Sequence, residues 1–429
     1  MRTFTLIWFG QLVSNLGTYM TFFALTLWLW DQTESVTTLA LMGIFSRLPA
    51  IAATVFAGLI VDRFNRKYLM LMGDAVAALA TASVGILYLT QQLQIWHLYL
   101  ILIIAGGFGQ IQTLAYQASI SLMVPPQHYT RTGSMTAIVR YGSNIVGPSL
   151  AAILYPLIEV SGVIAVDLIT FAVAFATLLS ASIPQPERKL KPEKQIKTQS
   201  WISQFIFGFH HIWKQSSLKA LLLVMVLFTF AHDLAGAVSS PMILARTNGS
   251  AQALASVSAM AGISGVTGAV IVGVWGGPKR RIHGVLGGYI GAGLSKTIFG
   301  LGQSLTIWMP AQMCSSLNFP LISSTRTALW MDKISPEIQG RVFAARDLVI
   351  QIVSTGAILI AGPLADQLFE PAMMSDKPLS NLLGISFGIG PGAGMAVIYT
   401  FCSLVMILAG LGGFFIPSLK VIDLDTRRH

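Results

Sequence analysis

Apolar residues along the chain gather into about twelve runs of roughly 20 residues, which are separated by short polar stretches. A run of that length can cross a hydrocarbon core of ~30 Å as one α-helix. Because each segment must satisfy its own backbone hydrogen bonds in lipid, the pattern predicts an all-α integral membrane protein with twelve transmembrane helices. The predicted spans are 5–30, 36–61, 68–90, 97–123, 133–158, 163–183, 218–240, 252–276, 284–302, 305–330, 340–368 and 391–416.

Composition agrees with a membrane chain. Hydrophobic residues make up 54% of the sequence and charged residues only 10%, whereas soluble domains carry about 25% charged residues. The first apolar run continues to Trp30 without a small-residue cleavage site, so we interpret it as a retained span and not as a signal peptide.

The basic residues predict the orientation of the spans. Most of the 27 Lys and Arg residues fall on the side that holds both termini, while Arg246 and Lys377 are the two predicted on the opposite side. By the positive-inside rule both termini are expected to be cytoplasmic, in a multi-pass protein of the plasma (inner) membrane.

A Pro-, Lys- and Glu-rich segment, residues 184–200, divides the spans six and six. It predicts an N-terminal half at 1–183, a C-terminal half at 218–416 and a tail at 417–429. Between the halves, 184–217 is predicted to be a cytoplasmic linker. Apolar residues at three- and four-residue spacing after Trp201 indicate an amphipathic helix on the membrane surface, or alternatively an extension of span seven.

The two halves share sequence features that indicate an internal repeat. A Gly-Pro pair in span five recurs in span eleven at an offset of 215 residues, and the same offset brings Asp62 onto the start of the basic "GGPKRR" loop. The two pairs are predicted bending points of their helices, because proline breaks the helical ladder. The residues are Gly147, Pro148, Gly362 and Pro363.

The stretch "GLIVDRFNRK" carries a dense charged motif between spans two and three, made of Gly58, Asp62, Arg63, Arg66 and Lys67. It resembles the Gly-x-x-x-Asp-Arg-x-x-Arg-Lys signature of the major facilitator superfamily. Segments such as "FGQLVSNLGTYMTFFAL", "WGGPKRR" and "QGRVFAARDLVIQI" are similar to the macrolide-efflux branch of the twelve-span drug/proton antiporters. The resemblance implies a major facilitator fold and a proton-coupled exporter of hydrophobic organic compounds that works by alternating access.

In that superfamily the motif aspartate caps span eleven, which implies a gating role for the motif here. Gly58 and Asp62 lie one helical turn apart, so they share a face. The basic residues, Lys67 above all, can alternatively serve only as inside-facing topology charges. The arginine of span four and the acid of span one that many drug/proton antiporters carry are absent from this sequence. Proton antiport therefore follows from the resemblance and not from those two spans.

Ionisable residues inside the spans are expected to be functional, because each costs about 2.5–3.5 kcal/mol on insertion. Asp233 is the best-placed acid for proton coupling or for a cationic substrate group, although it could instead pair structurally with a Lys or Arg. The positions of Asp74 and Asp167 are more typical of residues that pack helices together or lie at the edge of a span. The position of His232 is more typical of an interior histidine whose hydrogen bonds are satisfied. The candidates for coupling or substrate binding are Asp233, Arg47, Lys296, Arg140, Asn15 and Gln11.

Enzyme motifs are absent from the sequence, including the P-loop, HExxH and GxSxG. No cofactor or metal is predicted. The predicted partners are a small hydrophobic organic substrate, protons as the coupling ion and the lipid bilayer, with no nucleic acid, for a monomeric protein. The alternatives are an exporter of siderophores or peptides, an importer, and a transport-inactive membrane sensor.

Overall fold

The computed structural model describes residues 2–124, 135–136, 139, 142–183, 201–334, 336–374, 377–420 and 422 of the 429-residue chain. Within these ranges only the backbone is described at 54–59, 61–63, 121, 145, 201–206, 331, 336–337, 339–341 and 344. The predicted linker at 184–200 and the candidate Arg140 lie outside the described residues.

The described residues form helices and no strand. In chain order the helices are α1 Arg2–Thr33, α2 Val36–Arg63, α3 Arg66–Leu89, α4 Ile95–Met123, α5 Ser143–Ser180, α6 Trp201–Lys214, α7 Ser216–Arg246, α8 Ala251–Trp275, α9 Arg281–Leu301, α10 Leu305–Lys333, α11 Pro336–Pro363, α12 Pro378–Phe387 and α13 Ala393–Phe415. A π-helical segment, Leu364–Phe369, and a single turn, Glu370–Ala372, follow α11, and a last turn spans Pro417–Lys420.

The first of two compact units comprises Met1–Lys189 and Gly249–Ala259. In it α1 packs along α5, α2 along α4, and α3 against both α4 and α5. Small residues allow close approach between membrane helices, where van der Waals packing replaces the hydrophobic effect. Gly17 shows this on α1, because a Cβ there would collide with Thr170 Oγ1 on α5.

The second unit comprises Leu190–Asn248 and Met260–His429. In it α9 packs against α10 and α13, while α7 packs against α11 and α13. Here Gly300 on α9 allows the close approach, since a Cβ at that position would collide with Thr400 Oγ1 on α13. The helix predicted after the linker exists as α6 and packs against α11. The division of the chain into an N-terminal half, a linker, a C-terminal half and a tail, with the boundaries given above, stays a prediction.

The described helices agree with the predicted break between spans five and six and differ from one predicted loop. The break expected at 159–162 is present as a kink, because two helical segments of α5 meet at Glu159, whose backbone is non-helical at φ 55° and ψ −169°. Residues 378–387, expected in a loop, form α12. Among the described residues nine helices are long and apolar enough to cross a membrane, with predicted spans five and six both on α5. Predicted spans nine and ten form α9 and α10, which are outside those nine. The count of twelve stays a prediction.

Candidate functional site

Two basic residues of the charged motif, Arg66 and Lys67, lie at the start of α3 and bond backbone carbonyls near the ends of two other helices. Arg66 Nη1 donates to the Ala118 carbonyl of α4 at 2.6 Å. Lys67 Nζ donates to the carbonyls of Leu179 and Ala181, at the end of α5, at 2.8 and 2.7 Å. The last carbonyls of a helix have no intrahelical partner and carry partial negative charge. Lys67 therefore caps the end of α5, whereas Arg66 bonds a carbonyl within the last two turns of α4.

A similar contact recurs in the second unit, where Arg281 lies 215 residues after Arg66 and its acceptor Ala328 lies 210 residues after Ala118. Arg281, at the start of α9, donates from Nη1 to the Ala328 carbonyl near the end of α10 at 3.4 Å, and also bonds the Asp332 carboxylate. Arg66 and Arg281 thus make equivalent contacts, each between the start of one helix and the end of the next. This recurrence adds a structural correspondence to the repeated sequence features.

The remaining motif residues, Gly58, Asp62 and Arg63, lie on the last two turns of α2, whose C-cap is Phe64. Only their backbone is among the described parts of the chain. Their proposed role in gating therefore stays a prediction.

A first buried carboxylate, Asp74 of α3, lies in an amide cluster formed by three helices of the first unit. Gln11 of α1 donates from Nε2 to Asp74 Oδ2 at 3.4 Å. Gln112 of α4 donates from Nε2 to Asp74 Oδ1 at 3.2 Å and to Gln11 Oε1 at 2.9 Å. Asn15, by contrast, bonds its own helix at the Gln11 carbonyl. Among the described residues, the side chain of Gln11 bonds two other helices, whereas the side chain of Asn15 bonds its own helix.

A second buried carboxylate, Asp167 of α5, is surrounded by hydroxyl groups. Thr21 of α1 donates to its Oδ2 at 2.8 Å, Thr81 of α3 to Oδ2 at 3.3 Å, and Thr170 to Oδ1 at 3.4 Å. In the described part of the chain no Lys or Arg nitrogen lies within 4.0 Å of Asp74 or Asp167. Because hydroxyls both donate and accept, the surroundings of Asp167 can serve a charged or a protonated carboxyl group. Both acids are therefore further candidates for carrying protons.

The second unit contains a buried cation, Lys296 of α9, which is 5% exposed. Its Nζ donates to the Tyr399 hydroxyl of α13 at 3.1 Å and lies 5.0 Å from the centre of that ring. A second aromatic group, from α7, α9 and α10, lies around His232: Phe228 stacks on Tyr289 at 3.7 Å between ring centres, and Phe319 lies 4.8 Å from the His232 ring. Lys296 itself contacts the ring of Tyr399.

The other sequence candidates are distributed over both units. Asp233 follows His232 on α7 and is half-buried, and Arg47 lies on α2 with an exposed side chain. Gly147 and Pro148 are buried within α5, and a Cβ at Gly147 would lie 2.6 Å from Tyr19 Cβ. Pro363 is the last residue of α11, directly before the π-helical segment, and Gly362 precedes it.

A polar network at the ends of four helices was missed by sequence reasoning. Arg246, the last residue of α7, donates to the carbonyls of Gly302 at 2.7 Å and Phe387 at 2.5 Å, which follow α9 and end α12. The carboxylate of Glu370 accepts from the backbone N–H groups of Gly392 at 3.1 Å and Met395 at 2.8 Å, at the start of α13. The only sequence signal was that Arg246 is one of two basic residues on its predicted side.

Comparison with known proteins shows the relationship of the chain to others. The sequence model of the Major Facilitator Superfamily matches residues 7–358. Macrolide efflux protein A of Streptococcus pyogenes is 27% identical over 368 residues, which cover 85% of this chain and 90% of that protein. Multidrug efflux pump Tap of Mycolicibacterium fortuitum is 22% identical over 431 residues, covering 98% and 97% of the two chains.

Solved structures have the same fold at low sequence identity. A bacterial homologue of the human lysosomal transporter Spinster, inward-facing and unoccupied, has a TM-score of 0.68 at 14% identity and covers 99% of this chain and 97% of its own. A POT family transporter in complex with 5-aminolevulinic acid has a TM-score of 0.69 at 12% identity, with 98% and 96% covered.

Proposed function

Since the chain belongs to the major facilitator superfamily, we propose that it is a secondary active transporter that exports hydrophobic organic compounds by alternating access, driven by protons. The observation that carries this proposal is similarity over most of the chain to proteins named as macrolide and multidrug efflux proteins. We further propose that it acts as a monomer in the plasma (inner) membrane, with twelve spans and both termini in the cytoplasm.

Proton coupling is proposed to depend on intramembrane carboxylates. Asp233 is the first candidate, because it lies half-buried on α7 in the same unit as Lys296. Asp74 and Asp167 are the alternatives in the first unit, where amide and hydroxyl groups surround them. A carboxylate in a poorly solvated site can bind and release a proton during the cycle, which is the requirement for an antiporter.

Accumulation in living cells tests the proposed function. In a host without its own efflux pumps, expression should lower the accumulation of one or more compounds from a panel of macrolides, dyes and peptides, and a protonophore should reverse the effect. Accumulation of every compound unchanged by expression would contradict the exporter proposal. Lowered accumulation that a protonophore does not reverse would contradict only the coupling to protons.

Asp62→Asn is expected to leave the protein folded and inserted but to impair transport. An anion at a helix N-terminus contributes up to about 2 kcal/mol, so its loss should change the ratio of inward- to outward-open molecules by up to about 30-fold. Spin-label distances between the cytoplasmic ends of the helices, measured by double electron–electron resonance, report that ratio. Asp62→Glu, which keeps the charge, is the control. Identical distance distributions for Asp62→Asn and the wild type would leave the motif as a topology signal only.

A further inference from the structure

Lys296 lacks a counter-charge in the part of the chain that the structure describes. No Asp or Glu oxygen lies within 4.0 Å of its Nζ there, and its hydrogen-bond partner is the neutral Tyr399 hydroxyl. An ammonium group has three donors, of which Tyr399 uses one. Burial of an unpaired cation is costly, and the Tyr399 ring offsets only part of that cost. The site therefore has donors and positive charge that a ligand can use.

A second polar group in the same unit, the ring of His232 on α7, is also available to a ligand. Nδ1 of His232 is buried, and no described residue hydrogen-bonds it. The His232 ring is half-buried, stacks on Phe228 at 5.8 Å and contacts Phe319 at 4.8 Å between ring centres. An unsatisfied buried polar atom costs about 1–3 kcal/mol, which a ligand can recover by bonding it.

The charges around the cluster are mainly positive. Arg326 of α10 is half-buried and lies near the Tyr289 hydroxyl, and Lys296 is close enough to His232 for its charge to act on the ring. Asp233 is the neighbouring acid on α7, next to His232 in sequence. Phe228, Tyr289 and Phe319 pack against one another beside His232 and make its surroundings apolar. A ligand with an apolar ring and a negatively charged group matches both the aromatic surroundings and the positive charges.

We propose that the second unit binds the carboxylate of an apolar aromatic acid, with Lys296 and the Tyr399 hydroxyl at the carboxylate and the aromatic side chains at the ring. The proposal rests on the proposed function and specifies its substrate class as acidic. Lys296 donates a charge-assisted hydrogen bond to the carboxylate. An N–H group of the His232 ring can donate a second one. Arg326, which lies near the Tyr289 hydroxyl, adds further positive charge.

A pair of probes that differ only in charge tests the site. Binding of 1-naphthylacetate and of its neutral amide, 1-naphthylacetamide, is measured by isothermal titration calorimetry on the purified full-length protein in detergent. The acid is expected to bind about 10- to 100-fold more tightly than the amide, since a hydrogen bond to a charged group gives that range. Lys296→Met should remove this preference, and Lys296→Arg should keep most of it. Equal affinity of the wild type for acid and amide would overturn the proposal.

The variants have independent readouts. Lys296→Met should lose far more affinity for the acid than for the amide, and a far-UV circular dichroism spectrum equal to that of the wild type distinguishes a lost charge from a damaged fold. If Lys296→Met does not fold, the comparison of acid and amide on the wild type still decides. Acid preference that persists in Lys296→Met but is lost in Arg326→Gln would also contradict the assignment to Lys296. The proposed function fails separately, when cells expressing the wild type exclude no compound although the purified protein distinguishes acid from amide.

Discussion

Replacing Asp233 by Asn is expected to abolish proton-driven transport while leaving substrate binding intact. Asn keeps the size and hydrogen-bonding capacity of the side chain but cannot take up a proton. Substrate movement against its gradient should therefore fall at least about 100-fold in proteoliposomes with an imposed pH gradient, because a positioned general acid or base typically contributes about 100- to 10,000-fold. Exchange of labelled for unlabelled substrate, which needs no net proton movement, should persist.

Asp74→Asn and Asp167→Asn are the matched controls in the first unit. Each removes one buried carboxyl group that amide or hydroxyl groups surround, without changing side-chain size. Both variants are expected to keep pH-dependent transport. Wild-type pH dependence in Asp233→Asn, together with its loss in Asp167→Asn, would move the coupling site to the first unit.

Arg246→Gln is expected to destabilise the second unit more than any of the substitutions named above. Arg246 bonds the carbonyls of Gly302 and Phe387, and Glu370 lies near it. The shorter, uncharged Gln cannot reach both carbonyls and leaves Glu370 without its charge partner. The free energy of unfolding should fall by roughly 3 kcal/mol, as for other broken buried charge networks. Thermal denaturation in detergent, followed by circular dichroism, measures the change.

Lys377→Gln is the control for that substitution. Lys377 is the other basic residue on the same predicted side, and its side chain is exposed. Surface substitutions of this kind change stability by about 0.5 kcal/mol or less. Similar denaturation curves for Arg246→Gln and Lys377→Gln would show that the network contributes little.

The sequence predicted the long helices well where polar residues mark both ends of an apolar run. The span predicted at 97–123 is the helix Ile95–Met123, and the span at 252–276 is Ala251–Trp275. The break predicted at 159–162, where polar residues interrupt the apolar run, coincides with the kink at Glu159. Prediction failed at 378–387, which is a helix too short to be recognised as a span.

The candidate site was predictable only in part, because sequence shows which residues are unusual but not what they contact. Lys296 and Gln11 were singled out as polar residues in apolar runs, and both make contacts between helices. The partners of Lys67 and Arg246 are backbone carbonyls at the ends of distant helices. Any residue supplies such a carbonyl, so no pattern in the sequence identifies it.

Proton movement driven by substrate tests the central claim most directly. The protein is reconstituted into vesicles that contain a pH-sensitive dye and are loaded with the compound that expressing cells exclude, at equal pH on both sides. On dilution into substrate-free buffer, the account predicts that substrate leaves as protons enter, so that the lumen acidifies, and that Asp233→Asn abolishes the acidification. Substrate efflux from wild-type vesicles with no change in lumenal pH would contradict the account.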